Sequence, residues 1–320
     1  MLRGEEVATI RDVAKLAGVS VATVSRVLNE KGYVHEDTVK QVKKAIEELQ
    51  YKPNAVAKAL FKKSSTMIAL LVSNIQDPAS LSLLTVIEEE AYKEGYQIVI
   101  CNMEHKHGYM DILEQNNIAG ILMTRDVYEG LQKERVSVPF VIIDSSEEMI
   151  SQYYNGAIQA VSLLKEKGCH FLAYIHEGPS HEAMEEHFAG FLDAVWEKNI
   201  SYRVIEMYRR EENSEQIAAE VLRKHPYIDG IVTCSDTAGI DFIRAAQTLH
   251  ISIPEYLQVI GLNGTMQGEW STPSLTTIAR PITSIGAVAI QKLIAKIKKV
   301  EDNHEIVNLD FELIERGSTR

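Results

Sequence analysis

Cysteines are few in this 320-residue chain and long apolar runs are missing, which excludes several classes of protein. The three cysteines, Cys101, Cys169 and Cys234, lie far apart and form no CxxC pair, so we expect buried free thiols rather than disulfides. No histidine cluster has metal-ligand spacing, and neither a metal nor another cofactor is predicted. No apolar run approaches the roughly 20 residues of a membrane span, and no secretory signal opens the chain. These absences predict a cytoplasmic protein.

Positive charge is also scarce overall, since the chain has a net charge of −12. The charge is unevenly distributed, because residues 1–63 contain twelve Lys and Arg against eight Asp and Glu. A basic segment attached to a strongly acidic remainder is typical of a protein in which one module meets phosphate. The length and the 45% hydrophobic content allow more than one domain.

Three short helical patterns open the chain. A Thr9–Asp12 capping pair predicts a first helix that ends near Ala17. A second helix begins at a Ser20 cap and ends near Leu28, and a third covers residues 36–49. Enough apolar residues are present for a small core: Val13, Ala14, Ala17, Val24 and Val27.

The first two helices have the residues that a helix-turn-helix requires. Ala14 is the small residue of the first helix, Gly18 supplies the turn, and Val24 locks the angle between the helices. The second helix would then present its N-terminal residues to the major groove of DNA. The alternative is a generic three-helix bundle, which the agreement of caps, turn and basic charge disfavours.

Three residues at the start of the second helix, and Arg26 one turn further on, suit contacts with DNA. The Ser20 hydroxyl and the helix N-terminus would bind a backbone phosphate. Val21 and Ala22 are small enough to approach a thymine methyl group. Arg26 can donate two hydrogen bonds to guanine O6 and N7, which makes it the predicted main specificity contact. The alternative for Arg26 is an ordinary surface arginine.

From Thr66 onward, short apolar runs alternate with amphipathic stretches. The runs cover residues 67–72, 96–101, 119–123, 139–144, 171–175, 229–234 and 257–262. Such runs between helical segments indicate buried parallel strands in βαβ units, and this many units predict two lobes. A strand-like segment, Ile306–Ile314, follows. No sustained heptad lies beyond it, which favours a homodimer over a tetramer.

The segment TIRDVAKLAGVSVATVSRVLN, residues 9–29, resembles the DNA-binding head of the LacI/GalR family. The family signature is T-I-x-D-V-A-x-x-A-G-V-S-x-x-T-V-S-R-V-L-N, and the resemblance continues through YKPN and AKAL (residues 51–54 and 57–60), the family's hinge. It implies an α/β protein with a helix-turn-helix head at 1–52, a hinge helix at 53–63 and a two-lobed periplasmic-binding-protein-like sensor at 64–320. Details such as GYVHE at residues 32–36 are similar to ribose and sucrose regulators. The implied DNA contacts are Thr9, Ser20, Val21, Ala22, Thr23, Ser25, Arg26, Asn29, Tyr33, Thr38, Tyr51, Asn54, Ala57, Lys58 and Leu60.

The hinge segment, residues 54–60, is too short to form a stable isolated helix, which needs roughly 12–15 residues. We therefore expect it to fold only against its dimer mate and DNA. Leu60 would act as an apolar wedge in the minor groove. Lys58 replaces the family's usual arginine, which keeps the charge but loses the fork geometry. An unstructured linker with a buried leucine is the alternative.

The resemblance also implies an effector site between the lobes, where this chain departs from the family's pattern. Asp77-Pro78-Ala79-Ser80 replaces Asn-Pro-Phe-Phe, His187 replaces an arginine, and Asn263 replaces an aspartate, while Asp236 is retained. Sugar sites use carboxylates and guanidinium groups for hydroxyl pairs and an aromatic ring for the sugar face. The predicted effector-binding residues are Asp77, Ser80, Tyr153, His181, His187, Ser235, Asp236 and Asn263.

Some of these effector residues have alternative interpretations. His181 and His187 would form hydrogen bonds with a polar ligand, or would bind an anionic ligand when they are protonated. The alternative is that both are solvent-exposed histidines at the start of a helix. Tyr153 and Tyr154 would supply the aromatic ring for the sugar face that is absent after the first strand. The alternative is that they pack where the two lobes meet.

The sequence therefore predicts a DNA-binding transcriptional regulator, a repressor of a carbohydrate operon, rather than an enzyme. A homodimer would bind a palindromic operator and respond to a small sugar-like effector. In the alternative, the body docks a protein coregulator of the phosphocarrier type. An exported sugar-binding protein is disfavoured because the sequence has no secretory signal. An α/β enzyme is disfavoured because the sequence has no G-x-G-x-x-G, G-x-S-x-G or P-loop motif.

Overall fold

A computed structural model describes residues 8–29, 32–51, 65–103, 110, 113, 115–131, 136–143, 146–177, 182–207, 213–301 and 309–320. Contacts divide the chain into two units, Met1–Ser65 and Thr66–Arg320. The predicted DNA contacts at Asn54, Ala57, Lys58 and Leu60, and the predicted effector residue His181, lie outside the described residues.

The first unit contains three described helices: α1 (Ile10–Leu16), α2 (Val21–Asn29) and α3 (Glu36–Glu48). The backbone N–H of Thr9 donates to Asp12 Oδ2 at 2.8 Å where α1 begins. The Ser20 hydroxyl accepts from the N–H of Thr23 at 3.1 Å where α2 begins. Both predicted caps are confirmed, since each satisfies a backbone donor that a helix N-terminus leaves unpaired.

The predicted core of the head is confirmed as well. Val13, Ala14 and Val24 are buried, and Val42 and Ala45 of α3 pack against them. Between α1 and α2 the chain turns at Gly18, whose φ of 65° is a conformation that favours glycine. The turn residue identified in the sequence thus has the backbone geometry expected of it.

The second unit is an α/β structure with two lobes. Its first lobe begins with β1 (Met67–Val72), α4 (Pro78–Lys93), β2 (Gln97–Asn102), β3 (Gly120–Met123), α5 (Arg125–Gly130) and β4 (Phe140–Ile142). The second lobe contains α6 (Glu147–Glu166), β5 (Phe171–His176), α7 (Glu182–Glu197), β6 (Ser201–Glu206), α8 (Ser214–Lys224), β7 (Gly230–Thr233), α9 (Asp236–Thr248), β8 (Gln258–Asn263), α10 (Met266–Trp270) and β9 (Thr276–Ala279). The described chain closes with α11 (Ile282–Lys298) and β10 (Glu312–Ile314).

The strands form two sheets, one for each lobe. The first has the order β2-β1-β3-β4 and is parallel. The second has the order β10-β9-β8-β7-β5-β6, parallel except where β10 runs antiparallel to β9. After β9 the chain returns to the first lobe, because α11 packs against α4, β3 and β4. The predicted two-lobed α/β fold is confirmed.

The burial of a strand decides whether it could be predicted from an apolar run in the sequence. Each of the seven apolar runs overlaps a strand, and every residue of β3 and β7 is buried. The sequence missed β6, an edge strand without a fully buried residue, because SYRVIE has no continuous apolar run. The predicted strand at Ile306–Ile314 was too long within the described residues, since β10 covers only Glu312–Ile314.

Candidate DNA interface and effector cavity

The face of α2 that was predicted to meet DNA is open to solvent in the head. Val21 is 41% exposed, and Ala22 and Arg26 are exposed. The exposed valine and the exposed arginine leave both an apolar contact for a thymine methyl and a guanidinium fork available on one short helix. The head therefore has the residues of a recognition helix on its surface.

The hydroxyl of Ser20 has a structural task in addition to its predicted phosphate contact. It caps α2 and lies 2.9 Å from the hydroxyl of Thr23. Ser20 is exposed and Thr23 half-buried. A phosphate bound here would meet the N-terminus of α2, where the helix dipole is positive.

The remaining predicted DNA contacts differ in exposure. Tyr33 is 91% exposed, which leaves its hydroxyl free for a phosphate. Thr38 is half-buried in α3, and Tyr51 packs partly against the head core. Thr9 is exposed but held by Asp12. A further pair lies on α2: Ser25, which is half-buried, and Asn29, its last residue.

A cavity of about 200 Å³ in the second unit brings together four of the predicted effector residues: Asp77, Ser80, Tyr153 and Asn263. It lies where the carboxyl ends of strands from both sheets meet, because its lining includes the residues that directly follow β1, β3, β4, β7 and β9. Ligands of open α/β sheets bind at this end of the strands. The cavity is therefore the candidate effector site.

Arg280, which directly follows β9, lines the cavity. Its Nη1 donates to Asn263 Oδ1 at 3.3 Å, and its guanidinium carbon lies 5.5 Å from the centroid of the Tyr153 ring. Burial lowers the pKa of Arg280 to about 10, opposed by the carboxylate of Asp77, so the guanidinium stays charged at neutral pH. The geometry presents a fixed cation to a ligand.

The Tyr153 ring is buried between the cavity and the C-terminal segment. It packs edge-on against Phe311 with 4.9 Å between centroids, and Arg280 lies over its face. Burial raises the pKa of Tyr153, so its hydroxyl stays protonated. Tyr154 points elsewhere and donates to Asp193 at 2.8 Å. Neither tyrosine offers an open aromatic face, so the predicted aromatic contact with a sugar is not available from them.

Asp77 serves both the cavity and the fold. Its Oδ2 accepts from the N–H of Ser80 at 3.0 Å and from the Ser80 hydroxyl at 3.2 Å, which caps α4. The φ of Asn263 is 119°, a conformation that is uncommon outside glycine and often occurs at functional sites. The structure thus holds both predicted side chains in place at strand ends.

His187 does not line the cavity. It is 1% exposed, and its Nδ1 lies 2.9 Å from the Tyr174 hydroxyl inside the second lobe. Burial lowers the pKa of His187 to about 4, so the ring is neutral at pH 7. The expectations of an exposed histidine and of a protonated anchor for an anion are both incompatible with this position.

Asp236 and Ser235 also lie outside the cavity lining. The Asp236 carboxylate is buried and accepts from the N–H of Thr265, from the Thr265 hydroxyl and from the Thr277 hydroxyl. Ser235 caps α9 through the N–H of Ala238 and donates to Glu177. In these contacts both side chains tie loops of the second lobe together.

Sequence reasoning missed five polar residues that line the cavity: Ser73, Thr124, Arg125, Asp126 and Arg280. All follow strands that the apolar runs predicted or that the family resemblance covered. The rule that sites lie at the carboxyl ends of parallel strands was therefore sufficient to find them. Cys234 lines the cavity too, and burial raises the pKa of its thiol, which keeps it protonated.

A larger apolar groove of about 450 Å³ lies along β4 and α11 in the first lobe. Its polar groups are Ser146 and three lysines, Lys292, Lys296 and Lys299. One of these, Lys296, donates to the carbonyl of Phe140 at 2.8 Å. Few convergent polar groups are present, so this groove fits a sugar less well than the smaller cavity.

Among the described residues, no three His, Cys, Asp or Glu side chains cluster as metal ligands do. None of the helices in the described part of the chain is long and apolar enough to cross a membrane.

Comparisons with known proteins agree with both units. Residues 9–54 match the model of the bacterial regulatory proteins of the lacI family, and residues 161–319 match a periplasmic binding protein-like domain. The ribose operon repressor of Halalkalibacterium halodurans is 35% identical over 98% of this chain and 97% of its own length. The sucrose operon repressor of Streptococcus mutans is 33% identical, covering 91% of this chain and 93% of its own.

A crystal structure of the lac repressor dimer bound to operator and an anti-inducer superimposes with a TM-score of 0.83 over 98% of this chain and 99% of that one, at 21% identity. A helix-turn-helix head and a two-lobed sensor in one chain define a DNA-binding transcriptional regulator rather than an enzyme. With relatives of this identity along its whole length, the chain belongs to the LacI family of bacterial regulatory proteins.

Proposed function

We propose that this regulator represses a carbohydrate-utilisation operon and that a monosaccharide-sized effector binds in the cavity between the lobes. The protein would act in the cytoplasm as a homodimer on a palindromic operator, with one Arg26 at each half-site. Closure of the lobes around the effector would change the spacing of the two hinges and so the affinity for DNA.

The observation that carries the proposal is the polar lining of the cavity. Carboxylates from Asp77 and Asp126 and guanidinium groups from Arg125 and Arg280 converge on about 200 Å³. Such groups form charge-assisted hydrogen bonds with pairs of sugar hydroxyls. The volume is below the roughly 300–1,000 Å³ of sites for drug-sized ligands, which favours a monosaccharide over a disaccharide.

The relatives support the same class of effector. Two have names that refer to ribose operons. A related sensor, 28% identical and covering 80% of this chain, was crystallised with D-xylulofuranose. Both sugars are pentoses, so D-ribose and D-xylulose are the first compounds to test. A protein coregulator remains without an observation in its favour.

Calorimetric titration of the full chain with pentoses, hexoses and disaccharides tests the effector. We expect one pentose to bind with a 1:1 stoichiometry per chain. In parallel, selection from random duplexes would identify the operator, and fluorescence anisotropy would follow its release on addition of the sugar. Tight operator binding together with silence across the whole sugar panel would contradict the proposed effector while leaving DNA binding intact.

A further inference from the structure

The groove along β4 and α11 has the composition of a small-molecule site. Its volume of about 450 Å³ lies within the roughly 300–1,000 Å³ of such sites, which are mostly apolar and contain a few polar groups. Among the described residues of its lining, Ser146 and three lysines are polar and all the others are apolar. The groove is distinct from the effector cavity, because the two described linings have only Ile143 in common. Its ligand therefore need not be a sugar.

The face of α11 that lines the groove changes from apolar to basic along the helix. Ile285 and Val288 lie in its first turns, and Lys292, Lys296 and Lys299 follow toward its end. Steps of three and four residues place these side chains on one face of the helix. Lys292 and Lys299 are exposed. The groove thus becomes positively charged toward the C-terminal end of α11.

The lysines at the end of α11 exceed the charge that would offset its helix dipole. A helix C-terminus carries roughly half an elementary negative charge. Lys298 lies in the last turn, donates to Glu94 Oε2 at 3.1 Å and does not line the groove. Lys296 donates to the carbonyl of Phe140 at 2.8 Å, and its ammonium group has two further N–H donors. The described part of the lining contains no acidic residue, so the three cations of the groove have no counter-charge within it.

We propose that this groove is a second ligand site, and that its ligand is a small carboxylate with an apolar chain, such as a medium-chain fatty acid. The carboxylate accepts charge-assisted hydrogen bonds from the lysine ammonium groups. The chain lies toward Ile285 and Val288, where its burial is favourable. This site goes beyond the sugar effector proposed above and does not depend on it.

Calorimetric titration of the full chain with sodium octanoate tests the groove. We expect one site per chain and a negative heat-capacity change, which titrations at two temperatures measure, because apolar surface is buried. Hexanoate should bind roughly tenfold more weakly, since two buried methylene groups are lost. Octylammonium has the same chain and the opposite charge, and it should bind at least roughly tenfold more weakly than octanoate, because the lysines repel it.

Two lysine variants test the position of the carboxylate. Lys292→Gln and Lys299→Gln should each weaken octanoate binding roughly twofold to fivefold, as the loss of an exposed ion pair does. Both side chains are exposed, so neither substitution disturbs the core. Lys298→Gln is the matched control, because it removes the same charge from the same helix but from a lysine that pairs with Glu94 outside the groove. It should bind octanoate as the wild type does.

Four outcomes would overturn the proposal. An equal loss in Lys298→Gln would mean that net charge alone controls binding. Octylammonium that binds as tightly as octanoate would exclude an anionic ligand. Competition between octanoate and D-ribose would place octanoate in the effector cavity instead. Absence of octanoate binding at both temperatures would leave the groove without this ligand, while the pentose titration would still decide the sugar effector separately.

Discussion

The hydroxyl of Tyr174 and the Nδ1 of His187 lie 2.9 Å apart in the interior of the second lobe. The rings of Phe188 and Phe191 pack around the same tyrosine. His187, which was predicted to bind the effector, is thus part of the core of the second lobe. Its pKa then affects the stability of the lobe rather than the charge of the cavity.

We predict that His187 makes the sensor sensitive to acid. Its folded pKa of about 4 lies below the usual 6.5, so the unfolded chain binds a proton that the folded chain excludes. The free energy of unfolding should be unaffected by this group above pH 6.5 and should fall as the pH drops from 6.5 to 4, by on the order of 3 kcal/mol. Urea denaturation at pH 7 and pH 4.5 measures the loss. His187→Gln should lose less stability than the wild type over this interval, and equal losses would contradict the assignment.

Replacing Arg26 tests the recognition helix. Arg26→Ala should weaken binding to the selected operator by roughly 1–3 kcal/mol, because a bidentate contact to a guanine is lost. Anisotropy with operator and random duplexes at one salt concentration measures the difference. Arg223→Ala, in the sensor, is the control and should bind both as before. An equal loss on random DNA would mean that Arg26 contacts phosphate instead.

Gly190 on α7 should not tolerate a larger residue. A Cβ at this position would collide with the carbonyl oxygen of Tyr154 in the backbone of α6. Gly190→Ala should therefore cost roughly 1–3 kcal/mol of unfolding free energy, as overpacking does. Gly130→Ala is the matched control, since its Cβ would meet nothing within 4 Å. Similar stability of the two variants would show that α6 and α7 pack less closely than described.

Asp236→Ala should destabilise the second lobe. The substitution leaves the N–H of Thr265 and the hydroxyls of Thr265 and Thr277 without their acceptor. Buried donors of this kind cost roughly 1–3 kcal/mol each when unpaired. We expect a loss of several kcal/mol in chemical denaturation, and Thr277→Val, which removes one donor, should lose less. A stable Asp236→Ala variant that fails only to bind sugar would restore Asp236 to the effector site.

Local sequence determined most of the fold. The capping residues Thr9 and Ser20 contact residues only three positions away, and Gly18 shapes its own turn. Their roles therefore follow from the local sequence alone. The same holds for the buried strands, because a run such as MIALLV at residues 67–72 needs burial on both faces. An edge strand such as β6 has no such requirement and was missed.

Residues of the candidate effector site could be assigned only in part from the sequence. Asp77 and Asn263 were predicted because they follow strands in a known motif, and they do line the cavity. Whether a polar side chain faces a cavity or the core depends on packing between distant segments. His187 turns inward to Tyr174, and Asp236 turns toward Thr265 and Thr277.

The sequence by itself determined a helix-turn-helix head, a basic charge on that head and an α/β body of two lobes. Tertiary structure decided which side chains converge between the lobes. Arg280 and Thr124 are 156 positions apart in the chain, and no local pattern joins them. They meet because the carboxyl ends of strands from two separate sheets face one cavity, and that arrangement exists only once both sheets have formed.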